Sequence, residues 1–168
     1  LVVGIRRTRC ARLGGPDRPV AFSVPTGNFG DVFAGYVASR MGLPIARLLV
    51  ATNVNDILHR ALTSGDYSAG TVTATATPSM DIQVSSNFER LLFDLSGRDG
   101  AAITAMMDEF DSNRAMTIPA DMLGGARALF SSASIDGDSM SLALRWAQER
   151  GGQLIDPHSA VGLAAARQ

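Results

Sequence analysis

Two short apolar runs each lead within a few residues into a helical pattern, and that order limits the possible folds most. VAFSV (20–24) is β-rich and bounded by Pro25, so it predicts a buried strand. From about Asp31 to Met41 the spacing predicts a helix with Val32, Phe33, Tyr36 and Val37 on one side. Gly42 and then Pro44 stop it. ARLLVATN (46–53) predicts the next strand. VNDILHRALTSG (54–65) predicts a helix with Val54, Ile57, Leu58 and Leu62 on one face, ended by Gly65. Strand, helix, strand, helix with short connections marks an α/β unit with a parallel sheet and flanking helices.

The remainder is more helical. TVTATATPSMDIQVSSN (71–87) reads as extended, polar and loop-like, with a helix N-cap signal in Ser85, Ser86 or Asn87. NFERLLFDLSG predicts a short helix closing at Gly97, and 99–113 another with Ile103, Met106, Met107 and Phe110 at helical spacing. After Ile118-Pro119, residues 120 to 130 look helical. Ile135-Asp136 precedes a helix ending at Gly151-Gly152. QLIDPHSAVGLAAARQ predicts a short strand at Leu154-Ile155, a turn at Asp156-Pro157 and a last helix. The methionines at 106, 107, 116, 122 and 140 read as core filler.

Between the first strand and the first helix stands PTGNFGD (25–31). Such a turn gathers free backbone N–H groups and the positive end of a helix dipole at one point, which suits an anion such as phosphate. Gly27 and Gly30 remove Cβ atoms and permit positive φ, while Thr26 and Asn28 offer side-chain hydrogen bonds. In a parallel sheet the turn lies at the carboxyl end of a strand, where α/β folds bind ligands. Glycines also occur at such turns for steric reasons alone, and the local pattern leaves both readings open. Gly27-x-x-Gly30 lacks the G-x-G opening of a dinucleotide fingerprint, and LLVATN ends in Thr52-Asn53 with no acidic residue.

Composition narrows the chemistry. A formal net charge of −1 on 168 residues argues against a nucleic-acid partner. No apolar run approaches the length of a membrane helix. The single cysteine, Cys10, forms no internal disulfide, which makes a cytoplasmic location the expectation. All 15 basic residues are arginine, so neither a lysine Schiff base nor a Gly-Lys-Ser/Thr phosphate loop can form from this sequence. His, Cys and carboxylates do not cluster at zinc spacing, so no metal is expected. His59 reads as a surface histidine, and Arg90 as either a phosphate ligand or a partner in a surface ion pair.

VPTGNFGD followed by a helix resembles the phosphate-cup loop of the pyridoxal-phosphate enzymes of the tryptophan synthase β-subunit fold (fold type II). VPTGNFGDVFAGYVASRMGLP (24–44), LLVATNVNDIL (48–58), PSMDIQVSSNFERLLF (78–93) and DPHSAVGLAA (156–165), in that order, resemble the threonine synthase family of bacteria and fungi over about residues 13 to 168. The resemblance implies a pyridoxal 5'-phosphate-dependent lyase that converts O-phospho-L-homoserine and water to L-threonine and phosphate. It assigns the cofactor phosphate to Gly27, Asn28, Phe29, Gly30 and Asp31, with Asp31 shaping or capping the loop. It offers Arg90, His158 and Ser159 as candidate substrate contacts.

The same resemblance sets limits. The family's Schiff-base lysine lies upstream of the matching segments and has no substitute here, so no catalytic residue is assigned. A hydroxyl-bearing residue that contacts the pyridine nitrogen belongs to a segment further downstream. The expectation is therefore a fragment, inactive alone, with residues 20–168 forming a partial pyridoxal-phosphate-binding α/β domain and 1–19 irregular. The arginine-rich first dozen residues read as a frayed terminus or as a product of the wrong reading frame. Two alternatives stand beside this: a non-catalytic phosphate or pyridoxal-phosphate binding module, and a related phospho-lyase with another substrate. The oligomeric state is not legible.

Overall fold

The computed structural model describes residues 18–168; the expectations about the first dozen residues and Cys10 lie outside them. Two predicted strands form as expected: β1 (Val20–Pro25) and β2 (Ile45–Thr52). They pair in parallel, Phe22 opposite Leu48 and Val24 opposite Val50. The helix between them, α1 (Gly30–Arg40), ends where Gly42 takes φ 99°. A second helix, α2 (Ile57–Ser64), follows β2 and closes on Gly65 in the left-handed conformation.

A third parallel strand, β5 (Phe130–Ser134), pairs with the other side of β2, giving the order β1-β2-β5. Between α2 and β5 lie β3 (Asp66–Ser68), a 3-10 turn at Pro78–Met80, α3 (Phe88–Leu95), α4 (Gly100–Asn113), β4 (Ala115–Thr117) and α5 (Ala120–Arg127). β3 and β4 form a small antiparallel ladder. Two further helices, α6 (Gly137–Gly151) and α7 (Pro157–Ala165), complete the described chain.

β2 is the central strand and is buried on both faces. Leu48 and Val50 point into a core built by α1, α2, α3 and α5, with Val32, Tyr36, Ile57, Leu58, Leu91 and Leu123. Leu49 and Ala51 point the other way, against α6 and α7 through Met140, Ala143, Ala160 and Val161. A run of apolar residues without polar alternation is what two covered faces require. α7 approaches β1 closely: a Cβ on Gly162 would lie 2.9 Å from Pro25 Cγ, and Ser23 Oγ donates to the Gly162 carbonyl at 2.6 Å.

The structure corrects four sequence expectations. α5 stops at Arg127 and the chain then extends, so Phe130 opens a strand instead of closing a helix. α2 begins at Ile57 because Asn53 Oδ1 accepts from the Asn55 amide at 2.8 Å, holding this stretch in a turn; Val54 is left 43% exposed. Leu154-Ile155 pairs with no strand, and Leu154 is 87% exposed. His59 is half-buried rather than on the surface, and its Nδ1 lies 3.0 Å from Ser132 Oγ.

These placements give opposite forecasts for two leucines. Leu48→Ala empties the middle of the central strand and is expected to cost about 2–5 kcal/mol of unfolding free energy. Leu154→Ala is expected to change it by less than about 0.5 kcal/mol. Urea denaturation checks both, and similar losses for the two variants would contradict the assigned burial.

Candidate functional site

All three parallel strands end on one side of the sheet, and the β1 end carries the glycine loop. Thr26 continues the strand for one residue, its amide donating to the Ala51 carbonyl at 2.8 Å and its hydroxyl to the Val24 carbonyl at 2.6 Å. The chain then turns through Gly27, Asn28 and Phe29 into α1. Among the described residues, the amides of Gly27, Asn28, Phe29 and Gly30 donate to no protein acceptor.

The left-handed residue of this turn is Phe29, at φ 65° and ψ −1°, not either glycine. A left-handed residue followed by a helical one forms a nest, in which successive N–H groups converge on a concavity that accepts an anion. Strain of about 1–3 kcal/mol is expected for a non-glycine residue held there. The ring offsets it: Phe29 is 1% exposed and packs edge-on to Phe88 at 5.2 Å and against Phe130 at 5.9 Å. Gly27 serves a different need, since a Cβ there would lie 2.6 Å from the Ser79 carbonyl oxygen. The 3-10 turn thus backs directly onto the loop.

The loop opens into a cavity of about 490 Å³ lined by Pro25 to Asp31, Ser79, Met80, Asp156 and His158. Asp156 caps α7, accepting from the amides of His158 and Ser159 at 2.9 and 3.2 Å and from Ser159 Oγ at 2.6 Å. The Ser159 hydroxyl, helped by those amides, pulls the Asp156 carboxyl down to about 2. His158 Nδ1 lies 3.3 Å from Asp156 Oδ1, while His158 Nε2 is buried with no partner among the described residues.

The candidate residues therefore separate. Gly27, Asn28, Phe29, Gly30, Asp31 and His158 share one cavity. Ser159 is buried with its hydroxyl committed to Asp156. Arg90 is exposed, belongs to none of the described ion pairs, and lines a different cavity of about 630 Å³ between α1, α3 and α4. Ser79 and Met80, which sequence reasoning left in a polar loop, line the glycine cavity. Among the described residues no cluster of His, Cys, Asp or Glu could hold a metal, and no helix is long and apolar enough to cross a membrane.

No family model matches the chain. Comparison with curated proteins finds the threonine synthase of Pseudomonas aeruginosa, 48% identical over 157 residues, covering 94% of this chain and 34% of that one. The threonine synthase of Saccharomyces cerevisiae is 40% identical over 166 residues, covering 90% and 32%. Among solved structures, a pyridoxal-phosphate-bound threonine synthase from Brucella melitensis superposes with a TM-score of 0.92 at 51% identity, over 95% of this chain and 34% of that one. This chain thus has homologues among threonine synthases. The yeast threonine synthase structure overlays at a TM-score of 0.86 and 38% identity, over 92% of this chain and 33% of that one. The chain spans about a third of the length of the threonine synthases it matches. The expected α/β class with a parallel sheet is borne out.

Two variants probe the loop and its far wall. Gly27→Ala forces its new methyl into the Ser79 carbonyl and is expected to cost about 1–3 kcal/mol, read as a lower melting temperature; an unchanged melt would show that the turn yields freely. Asp156 has a depressed folded-state pKa, so its contribution to stability is full above the ordinary carboxylate value of 3.8 and fades as pH falls towards about 2. Asp156→Asn keeps a capping residue without that titration. Its acid unfolding curve is expected to be flatter than the native one between pH 4 and 2, and parallel curves would count against the coupling.

Proposed function

We propose that this chain forms the cofactor-phosphate part of a threonine synthase, which converts O-phospho-L-homoserine and water to L-threonine and phosphate. The observation that carries this is the run of unpaired amides at Gly27 to Gly30, in a chain that superposes on a pyridoxal-phosphate-bound threonine synthase. When bound, pyridoxal phosphate supplies an electron sink for carbanion chemistry.

The residues present fit that group. Four converging amides and the N-terminal end of α1 meet the 5'-phosphate dianion without a cationic side chain. Gly27, Asn28, Phe29 and Gly30 bind the phosphate, and Asp31, in the first turn of α1, shapes the loop. Pro25 and Met80 give the cavity apolar wall, which limits water around the phosphate esters. His158 Nε2 is a buried side-chain atom of the lining that has no hydrogen-bond partner among the described residues.

The sequence holds no lysine, so these 168 residues offer no ε-amine for covalent attachment. That favours a second, narrower reading of the chain by itself: a module that binds pyridoxal phosphate through its phosphate alone. In equilibrium dialysis the chain is expected to retain pyridoxal phosphate, to release it to inorganic phosphate, and to ignore pyridoxal. Equal retention of pyridoxal would sink the phosphate assignment. For the reaction, the segment is exchanged for the matching third of the Pseudomonas aeruginosa enzyme. The chimaera is expected to form threonine from O-phospho-L-homoserine. A folded chimaera that binds pyridoxal phosphate yet forms no threonine leaves only the binding module.

A further inference from the structure

We infer that Ser85 and Asn87 are positioning residues that aim the amides of the glycine loop, an assignment that rests on the phosphate reading above. Ser85 Oγ donates to the Gly27 carbonyl at 2.9 Å, and Asn87 Nδ2 donates to the Asn28 carbonyl at 2.8 Å. Carbonyl and N–H point in opposite directions across a planar trans peptide. Holding the Gly27 carbonyl towards Ser85 therefore turns the Asn28 amide away from it. Holding the Asn28 carbonyl towards Asn87 does the same for the Phe29 amide. Two of the four unpaired donors thus owe their direction to side chains 58 and 59 residues away in sequence.

Asn87 occupies the N-cap position of α3, where an asparagine oxygen ordinarily accepts from a first-turn amide. Here its side chain makes no capping bond; its amide nitrogen goes to the glycine loop instead. The N-cap signal in the sequence thus marks the right position and the wrong task. Ser85 is fixed by other means as well. Its amide donates to Tyr67 Oη at 2.9 Å, and the Tyr67 ring is buried against Phe88 and Phe110. Deleting the Ser85 hydroxyl therefore removes the bond to Gly27 while the Ser85 backbone keeps its anchor. Both side chains arrive on one segment, which also sets the Ser79 carbonyl 2.6 Å from where a Cβ on Gly27 would lie.

The test uses inorganic phosphate and pyridoxal phosphate as probes on the whole chain, followed by amide resonances in ¹⁵N-labelled protein. Ser85→Ala deletes one bond. Asn87→Ser keeps a neutral, competent N-cap while shortening the donor out of reach of Asn28. Each variant is expected to bind both probes about five- to tenfold more weakly. The saturated shifts of the Asn28 and Phe29 amides are expected to shrink while the melting temperature without ligand holds. Thr63→Ala, at an exposed residue whose hydroxyl bonds only within α2, is the control and is expected to bind as the native chain does. Native affinity in both Ser85→Ala and Asn87→Ser would overturn the positioning role and leave the phosphate reading standing. Phosphate that shifts no loop amide in the native chain would overturn both. Weaker binding together with an equal fall in melting temperature would assign the two residues to fold stability and end the proposal.

Discussion

Burial of the Phe29 ring ties the glycine loop to the core. The backbone at this residue adopts a conformation that a side chain disfavours by about 1–3 kcal/mol. Full burial of a phenylalanine returns about 1.5–3 kcal/mol, and its edge-on contact with Phe88 adds about 0.5–1.5 kcal/mol. The ring therefore outweighs the strain, and the loop is held in its turn by hydrophobic packing. A glycine at this position would adopt the same φ more easily and would lack the anchor. Because Phe29 touches Phe88 on α3 and Phe130 on β5, the shape of the loop depends on elements far along the chain.

The parallel sheet explains why those elements meet at one end. The carboxyl ends of β1, β2 and β5 lie side by side, and each runs into a turn before a helix or a capped segment. Asn53 follows β2 directly, and its Nδ2 reaches Thr75 and Thr77 and lies 2.7 Å from Asp81 Oδ1. Asp81 also accepts from Asn55 Nδ2, from the Thr75 hydroxyl and, at its other oxygen, from the Thr75 amide. This network fastens the long segment before α3 across the strand ends, where it presents Ser79, Ser85 and Asn87 to the glycine loop. The loop thus has a rigid core behind it and a pinned segment beside it.

Much of this was legible in the sequence because it is local. Strand, glycine turn and helix at 20–41 follow from hydrophobic spacing and from Gly42 and Pro44, and each is found. What escaped is what depends on distant partners. β5 carries three serines in FSSAS, and only Phe130 and Ala133 are fully buried, so its strand character comes from pairing with β2. Leu154-Ile155 has the right composition for a strand but joins no ladder, and Leu154 stays in solvent. At 71–87 the polar residues signalled a loop, and the segment is irregular. Yet Thr77, Met80 and Ser85 are buried because the segment crosses the site instead of looping into solvent. In the loop itself, the glycines were legible as landmarks, while the left-handed residue proved to be the phenylalanine between them.

Two carboxylates, Asp31 and Asp156, line the cavity proposed for an anion, and among the described residues no arginine does. That arrangement works only if their charges are already engaged. Asp156 is: Ser159 Oγ and two backbone amides surround it, and its low pKa records how strongly they hold the ionised form. Asp31 sits in the first turn of α1, where the helix dipole favours a negative charge. The remaining attraction for an anion comes from amides fixed in direction by Phe29 packing and by the carbonyl bonds of Ser85 and Asn87. Fixed amide dipoles need not reorganise when the charge arrives, and they fit the oxygens of a phosphate by geometry. Under the phosphate reading proposed above, such a site recognises shape and hydrogen-bond direction first and charge second, so a segment with a net charge of −1, whose cavity is lined by no arginine among the described residues, can still suit a dianion.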